Sequence, residues 1–321
     1  MAYTEIDNPE LHFQVKTYTG NGTAIGSGGQ AITLDGDENM QPDFVWIKDR
    51  SDSDRPRLFD AVRGVTKELD SSDSTAETTL TEGLTAFGSN GFTVGNHEGV
   101  NSSSDNFVAW CWKMANGTAS NSNGTNITST VSANTTAGQS IVSYSGSGTT
   151  SDTVGHGLSS LDFLIVKSRG ENDSWFVKHK DLASSKNLNL NQTVAETDVT
   201  SAYSEGGLSN LSGNTFGFLD GTSDANAVNE SSEAHIAYCF KSVQGYSKAG
   251  KYTGNANDDG PFIYTGFRPA WIMCKAASDS GEGWHILDNK RNTYNPVLAK
   301  VTANTADAES ATAGDNNVDF L

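Results

Sequence analysis

The chain has 321 residues, enough for two or three domains with cores of their own, and carries 21 basic against 39 acidic residues, a formal net charge of −18. Phosphate binding needs clustered Lys and Arg, so this balance excludes nucleic acid and anionic membranes as main partners; solubility is the plainer reading of the acidity. Only 35% of residues are hydrophobic, yet six Trp, nine Tyr and fourteen Phe gather in short apolar clusters, which excludes disorder, and 33 Gly against six Pro fit a turn-rich β protein.

The first ten residues are polar and acidic, without the basic and apolar regions of a secretory signal, so folding in a reducing cytoplasm is expected unless export runs without one. From Tyr18 onward the chain repeats itself. A Tyr-[Thr/Ser]-Gly opening stands at Tyr18-Thr19-Gly20, Tyr144-Ser145-Gly146 and Tyr252-Thr253-Gly254. A short apolar run ending in Lys follows each: Phe44–Lys48, Phe163–Lys167 and Trp271–Lys275. Next comes Leu58–Leu69, the best helix candidate through Phe59, Val62 and Leu69, although Gly64 interrupts it and β-branched Val65 weakens it. Ala-Glu followed by Thr or Ser recurs at Glu77, Glu196 and Glu309, with the same Lys-to-Glu interval of 29 residues from Lys48 to Glu77 and from Lys167 to Glu196. The first two units then close alike, with Phe107–Lys113 and His235–Lys241.

On a strand, alternate side chains face opposite sides. Val108, Trp110 and Trp112 therefore share a bulky face, and Phe107, Ala109 and Cys111 the other; Ile236, Tyr238 and Phe240 oppose Ala237 and Cys239 in the same way. Both faces are apolar, which predicts a central strand covered on both sides. The predicted architecture is all-β: tandem β-sandwich, jelly-roll-like repeats, two complete and one partial. The units run 1–114, 139–247 and 248–321. Residues 115–138 form a Ser/Thr/Asn-rich connector without a charge, whose second half, from Ile127 to Val131, is expected to pair as an edge strand. The third unit stops at Phe320-Leu321 before any closing strand; truncation is expected, over strands supplied by a neighbouring subunit.

Few residues invite chemistry. Asp60 with Arg63, and Asp288 with Arg291, occupy matching places and are expected to cap a turn and pair locally; His179-Lys180-Asp181 stands there in the second unit. One Glu per unit, in separate cores, does not give the facing carboxylates of a glycosidase. The histidines lack metal-ligand spacing, and His156, flanked by Gly155 and Gly157, is read as a turn histidine before a ligand seat. Cys111, Cys239 and Cys274 lie far apart inside apolar runs and are expected as buried small hydrophobes. Gly26-Ser27-Gly28-Gly29 lacks the lysine of a phosphate loop.

Several phrases together carry a resemblance: Tyr18–Gly22, Leu58–Val65, Ser89–Gly95, Val108–Lys113, Val131–Gly138, Thr153–Leu158 and Asp259–Ala270. They are similar to a family of marine and cyanobacterial phage proteins commonly labelled tail-fibre or virion structural proteins. The likeness runs over nearly the whole chain, and members of that family continue to a final aromatic strand. It implies a bacteriophage virion structural protein of tail-fibre or host-adhesion type, on the virion surface after assembly in the host cytoplasm. A head-fibre or capsid-decoration protein and a carbohydrate-binding module are the alternatives, with a depolymerase behind them. The expected partners are further copies of the chain (a homo-oligomer, a trimer among the options), other virion proteins and, optionally, a host surface glycan; nucleic acid and membrane are not expected. No enzymatic activity, cofactor or metal is expected, and the resemblance supplies no catalytic or receptor-binding residues.

Overall fold

Short apolar runs separated by Gly, Asn and Ser become strands throughout the computed structural model, which describes every residue except 1–3, 5, 201–205, 210, 212, 220–226, 258 and 312–317. The first unit contains β1 (Phe13–Thr19), β2 (Gln30–Thr33), β3 (Phe44–Asp49), β4 (Arg57–Asp60), β5 (Lys67–Asp70), β6 (Thr78–Thr79), β7 (Leu84–Gly88) and β8 (Gly91–Val94). One helical turn, α1 (Glu98–Asn101), leads into the closing strand β9 (Asn106–Trp112). The strands form a six-stranded sheet, β1-β9-β3-β4-β5-β6, and a three-stranded sheet, β2-β8-β7. First strand beside last, and second beside last but one, is the nested pairing of a jelly roll.

The connector contributes β10 (Ala119–Asn121), β11 (Asn126–Ile127) and β12 (Ser129–Asn134). The second unit follows with β13 (Gln139–Ser145), β14 (Thr153–Gly155), β15 (Phe163–Ser168), β16 (Phe176–His179), β17 (Lys186–Asn189), β18 (Thr197–Asp198), β19 (Gly207–Leu208), β20 (Thr215–Leu219) and β21 (Ala234–Phe240). Its large sheet reads β13-β21-β15-β16-β17-β18, the order of the first unit strand for strand, with β12 and then β10 added beyond β13. The small sheet is β11-β14-β20-β19. Both halves of the connector thus supply strands to the second unit, and the expected edge position is corrected: β12 lies between β10 and β13, with β10 at the edge of the large sheet. Register is kept as well as order: Phe44 lies opposite Trp112 and Trp46 opposite Trp110, as Phe163 lies opposite Phe240 and Ile165 opposite Tyr238.

Third come β22 (Trp271–Cys274), β23 (His285–Asp288) and β24 (Val301–Thr302), ordered like β3, β4 and β5. The single helical turn for which Leu58–Leu69 is the best candidate is not formed. Leu58 and Leu69 face each other across the β4–β5 pair, and Gly64 takes a left-handed φ of 93° in the turn between the strands. The apolar spacing that suggested a helical face comes from two strands folded back on each other.

The alternation in the closing strands separates two kinds of core. The small faces, with Phe107, Ala109 and Cys111 in β9 and Ala237 and Cys239 in β21, line the interior of each sandwich. The bulky faces leave their own sandwich and meet in one shared core. It holds Trp46, Trp110 and Trp112 of the first unit, Trp175, Ile236 and Tyr238 of the second, and Trp284 and Ile286 of the third. Adjacent residues obey the same parity: Val45 and Ile47 go to the sandwich, Phe44 and Trp46 to the centre. Each large side chain buried there contributes about 1.5–3 kcal/mol, so the centre is a substantial part of what holds the units together.

Candidate functional site: the seams between the repeats

The residues that recur once per unit meet at the joints around the shared core. The backbone N–H of Glu77 donates to the carbonyl of Arg169 at 2.8 Å, that of Glu196 to Ala277 at 2.7 Å, and that of Glu309 to Arg50 at 3.0 Å. Arg50, Arg169 and Ala277 each stand two residues after the repeated lysine. The same bond therefore runs from the first unit to the second, from the second to the third, and from the third back to the first. This closes the three units into a ring with pseudo-threefold symmetry. The expectation that the three glutamates sit in separate cores is corrected accordingly: each lies on a seam, because the strand after the apolar run is carried outward to the neighbouring unit.

Two of the seams carry arginines. The Arg169 guanidinium forks onto Glu77 with bonds of 2.8 and 2.9 Å, and Arg63 approaches the same carboxylate at 3.4 Å. Arg50 forks likewise onto Glu309 at 2.8 Å twice, and Arg291 reaches it at 3.0 Å. Burial alone would raise the Glu309 pKa, but Arg50 and Arg291 outweigh it and hold the carboxyl below its ordinary value. At the third seam the matching positions are Leu182 and Ala277, both packed against the shared core, so the arginines of the other two seams have no counterpart there, and the charge of Glu196 acts on Lys178.

Asp60 and Arg63 form the local pair expected of them, and so do Asp288 and Arg291, with all four side chains wholly buried. Asp60 accepts from the N–H groups of Val62 and Arg63, and Asp288 from those of Lys290 and Arg291, which closes the turn after β4 and after β23. In the second unit the His179 ring caps the turn in their place, accepting from Asp181 N–H at 3.1 Å. Each Asp also receives an aromatic donor across a seam. Tyr238 Oη donates to Asp60 at 2.8 Å, and Trp110 Nε1 to Asp288 at 3.0 Å. Tyr238 and Trp110 hold the same place in their closing strands, so these bonds repeat the ring.

The strand-ending lysines belong to the same system. Lys48 and Lys167 are fully buried, and burial pushes each pKa down to about 8. Each ammonium binds the carbonyl of its next residue, at 2.6 Å for Lys48 and 2.8 Å for Lys167. Lys48 also reaches the carbonyl of Ala306 in the third unit at 3.0 Å. Two further seam residues were not singled out in the sequence: Trp175 Nε1 donates to Asp70 O at 2.8 Å, and Trp284 Nε1 to Asn189 O at 2.9 Å. Their signal is a Trp immediately before the strand that pairs with the Lys-ending run, β16 in the second unit and β23 in the third, where Pro56 stands before β4 in the first.

The remaining candidates are quieter. His156 is buried, accepts from Leu158 N–H at 3.2 Å and lies 3.2 Å from the Gly213 carbonyl, and burial lowers its pKa to about 4. Cys111 and Cys239 are fully buried free thiols, whereas Cys274 is half-exposed because β22 is. A shallow polar depression beside the first seam is lined by Arg55, Arg57, Glu68, Asp70 and Thr78. Its charges bind one another, Arg57 to Glu68 at 3.0 Å and Arg55 to Asp70 at 3.2 Å. Among the described residues no three His, Cys, Asp or Glu side chains gather as a metal ion needs, and no helix is long and apolar enough to cross a membrane.

A family model described as a domain of unknown function, DUF7483, matches residues 8–321. The chain belongs to the DUF7483 family. The match begins before β1 and takes in all three units, so the DUF7483 region coincides with the whole ring and with no single repeat. No curated protein and no solved structure matches the chain.

Proposed function

We propose that this DUF7483 protein is a structural component of a bacteriophage virion surface, of the tail-fibre or host-adhesion type, and that it works without catalysis. The observation that carries the reading is where the recurrent polar residues go. Glu77 and Glu309 are held across seams by Arg169 and Arg50, and Asp60 and Asp288 by Tyr238 and Trp110, an arrangement that serves rigidity. A ring of aromatic-cored β units with a polar Ser, Thr and Asn exterior suits an exposed particle component, and the phrases shared with phage proteins point the same way. Assembly as a homo-oligomer with other virion proteins, and contact with a host glycan, belong to this reading.

The test is location and copy number in purified particles. Gold-labelled antibody against the chain should decorate the tail, with a few to a few dozen copies per particle by quantitative mass spectrometry. Label spread over the head at the copy number of the capsid lattice would replace the tail reading by capsid decoration. Absence from particles would overturn the proposal. Release of reducing ends from host polysaccharide above background would overturn its non-catalytic part.

A further inference from the structure

Four Asn-Gly pairs occur in the sequence, at Asn21-Gly22, Asn90-Gly91, Asn116-Gly117 and Asn123-Gly124. In such a pair the glycine nitrogen can attack the asparagine side-chain amide carbon, because no Cβ on the glycine shields the approach. The fold sets the four apart, and at three of them the backbone is fastened. Gly22 N–H donates to Asn101 O at 3.1 Å. The Asn90 amide is bound at both ends, its oxygen accepting from Met40 N–H and its nitrogen donating to Leu34 O, each at 3.2 Å. A Cβ on Gly91 would strike Ile32 O, and one on Gly124 would strike Thr153 O. At Gly117 a Cβ would meet nothing, and among the described residues no hydrogen bond engages its N–H. Both residues of that pair are exposed.

Asn116 also stands at a joint, just after β9 where the connector leaves the first unit. Asp43, wholly buried before β3, accepts from Met114 N–H at 2.6 Å and from Asn116 N–H at 3.1 Å. The Asn116 side chain suits its surroundings with the amide nitrogen turned to the same carboxylate, 3.0 Å away. The group that would leave is therefore held, while the nitrogen that would attack has open space.

We infer that Asn116-Gly117 is a site of spontaneous modification, ahead of the other three pairs, and that its conversion loosens the joint between the first and second units. Gly117 N bonds to Asn116 Cγ, and the amide nitrogen leaves as ammonia, taking the proton that Gly117 N gives up. Water then opens the succinimide ring to an aspartyl or isoaspartyl residue. Water is the sole co-reactant, and nothing is oxidised or reduced. The new carboxylate donates nothing to Asp43 and sets a second negative charge against a buried one, which disfavours the docked connector. This inference does not depend on the virion reading.

The experiment incubates the full chain in mildly alkaline buffer, folded and in urea. Peptide mass spectrometry reads the amide-to-acid mass change, and enzymatic methyl labelling identifies isoaspartate. In the folded chain Asn116 should convert at least about tenfold faster than each other pair, a gap of about 1.4 kcal/mol in activation free energy. In urea the four rates should draw together. Another pair leading in the folded chain, four equal rates there, or the same order persisting in urea would overturn the site. Asn116→Asp should melt about 2 °C or more below the parent, with faster hydrogen exchange at Met114 and Asn116. The parent should lose melting temperature during incubation, and Asn116→Gln should not. An unchanged melt for Asn116→Asp, or equal losses in the parent and Asn116→Gln, would overturn the link to the joint.

Discussion

Replacing each repeated glutamate in turn, as Glu77→Ala, Glu196→Ala and Glu309→Ala, perturbs one repeat position in three surroundings. Loss of Glu77 strips Arg169 of both its bonds to that carboxylate and takes one of the carboxylates facing the wholly buried Arg63. Removing one partner of a buried ion pair costs about 3–5 kcal/mol, and because Asp60 still holds Arg63 the lower end applies, about 3 kcal/mol. The same reasoning covers Glu309, which binds Arg50 and Arg291. At Glu196 the two arginine positions are held by Leu182 and Ala277 and its charge acts on Lys178 without a close ion pair among the described contacts, so its loss should cost about 1 kcal/mol or less. At about 2 °C per kcal/mol for a chain of this size, thermal melts at pH 7 should fall by about 6 °C for Glu77→Ala and Glu309→Ala and by about 2 °C for Glu196→Ala. Three equal shifts, or the largest shift for Glu196→Ala, would refute the assignment of the seams.

Acid should weaken the fold before its carboxylates are neutralised. Burial lowers the pKa values of His156 and His235 to about 4 from 6.5, so between those values the unfolded chain binds protons that the folded chain refuses. Stability should therefore be full above pH 6.5 and decline on acidification, by up to about 3 kcal/mol per histidine; urea midpoints that stay flat from pH 7 to 4.5 would contradict this. Glu309 adds in the same direction below its ordinary pKa, and Asp43, Asp49 and Asp70, whose pKa values are raised mainly by burial, oppose it there. Tyr238→Phe removes the hydroxyl that donates to Asp60 and accepts from Arg63, and should cost about 1–3 kcal/mol in urea unfolding; no measurable change would detach that bond from ring stability.

Much of the sandwich was legible because a strand's period of two is written into its side chains. Val108-Ala109-Trp110-Cys111-Trp112 announces one bulky and one small face, and the structure gives each face its own core. The destination of the bulky face was not legible. Alternation says that a face is covered, but not whether by the same unit or by a neighbour. The Asp60–Arg63 pair was readable as a local turn because its partners are three residues apart. Its bond to Tyr238, 175 residues beyond Arg63, depends on ring closure, which no local pattern encodes. One signal was available: arginine two residues after the repeated lysine at Arg50 and Arg169, with Ala277 in the third unit, varies along the chain as the seams do. The weak helix signal at Leu58–Leu69 has a related origin, since apolar residues at both ends of a hairpin imitate a helical stripe.

Ring closure is tested most directly between Lys16 and Lys290. Both ammoniums bind one carboxylate, Asp35, at 3.1 and 3.0 Å, although they belong to the first and third units. Treatment of dilute protein with a short amine-reactive cross-linker, followed by mass spectrometry of the monomer band, should recover a Lys16–Lys290 link in high yield. Units strung in a line would give links within each unit and between neighbours in sequence, and none joining the first to the third.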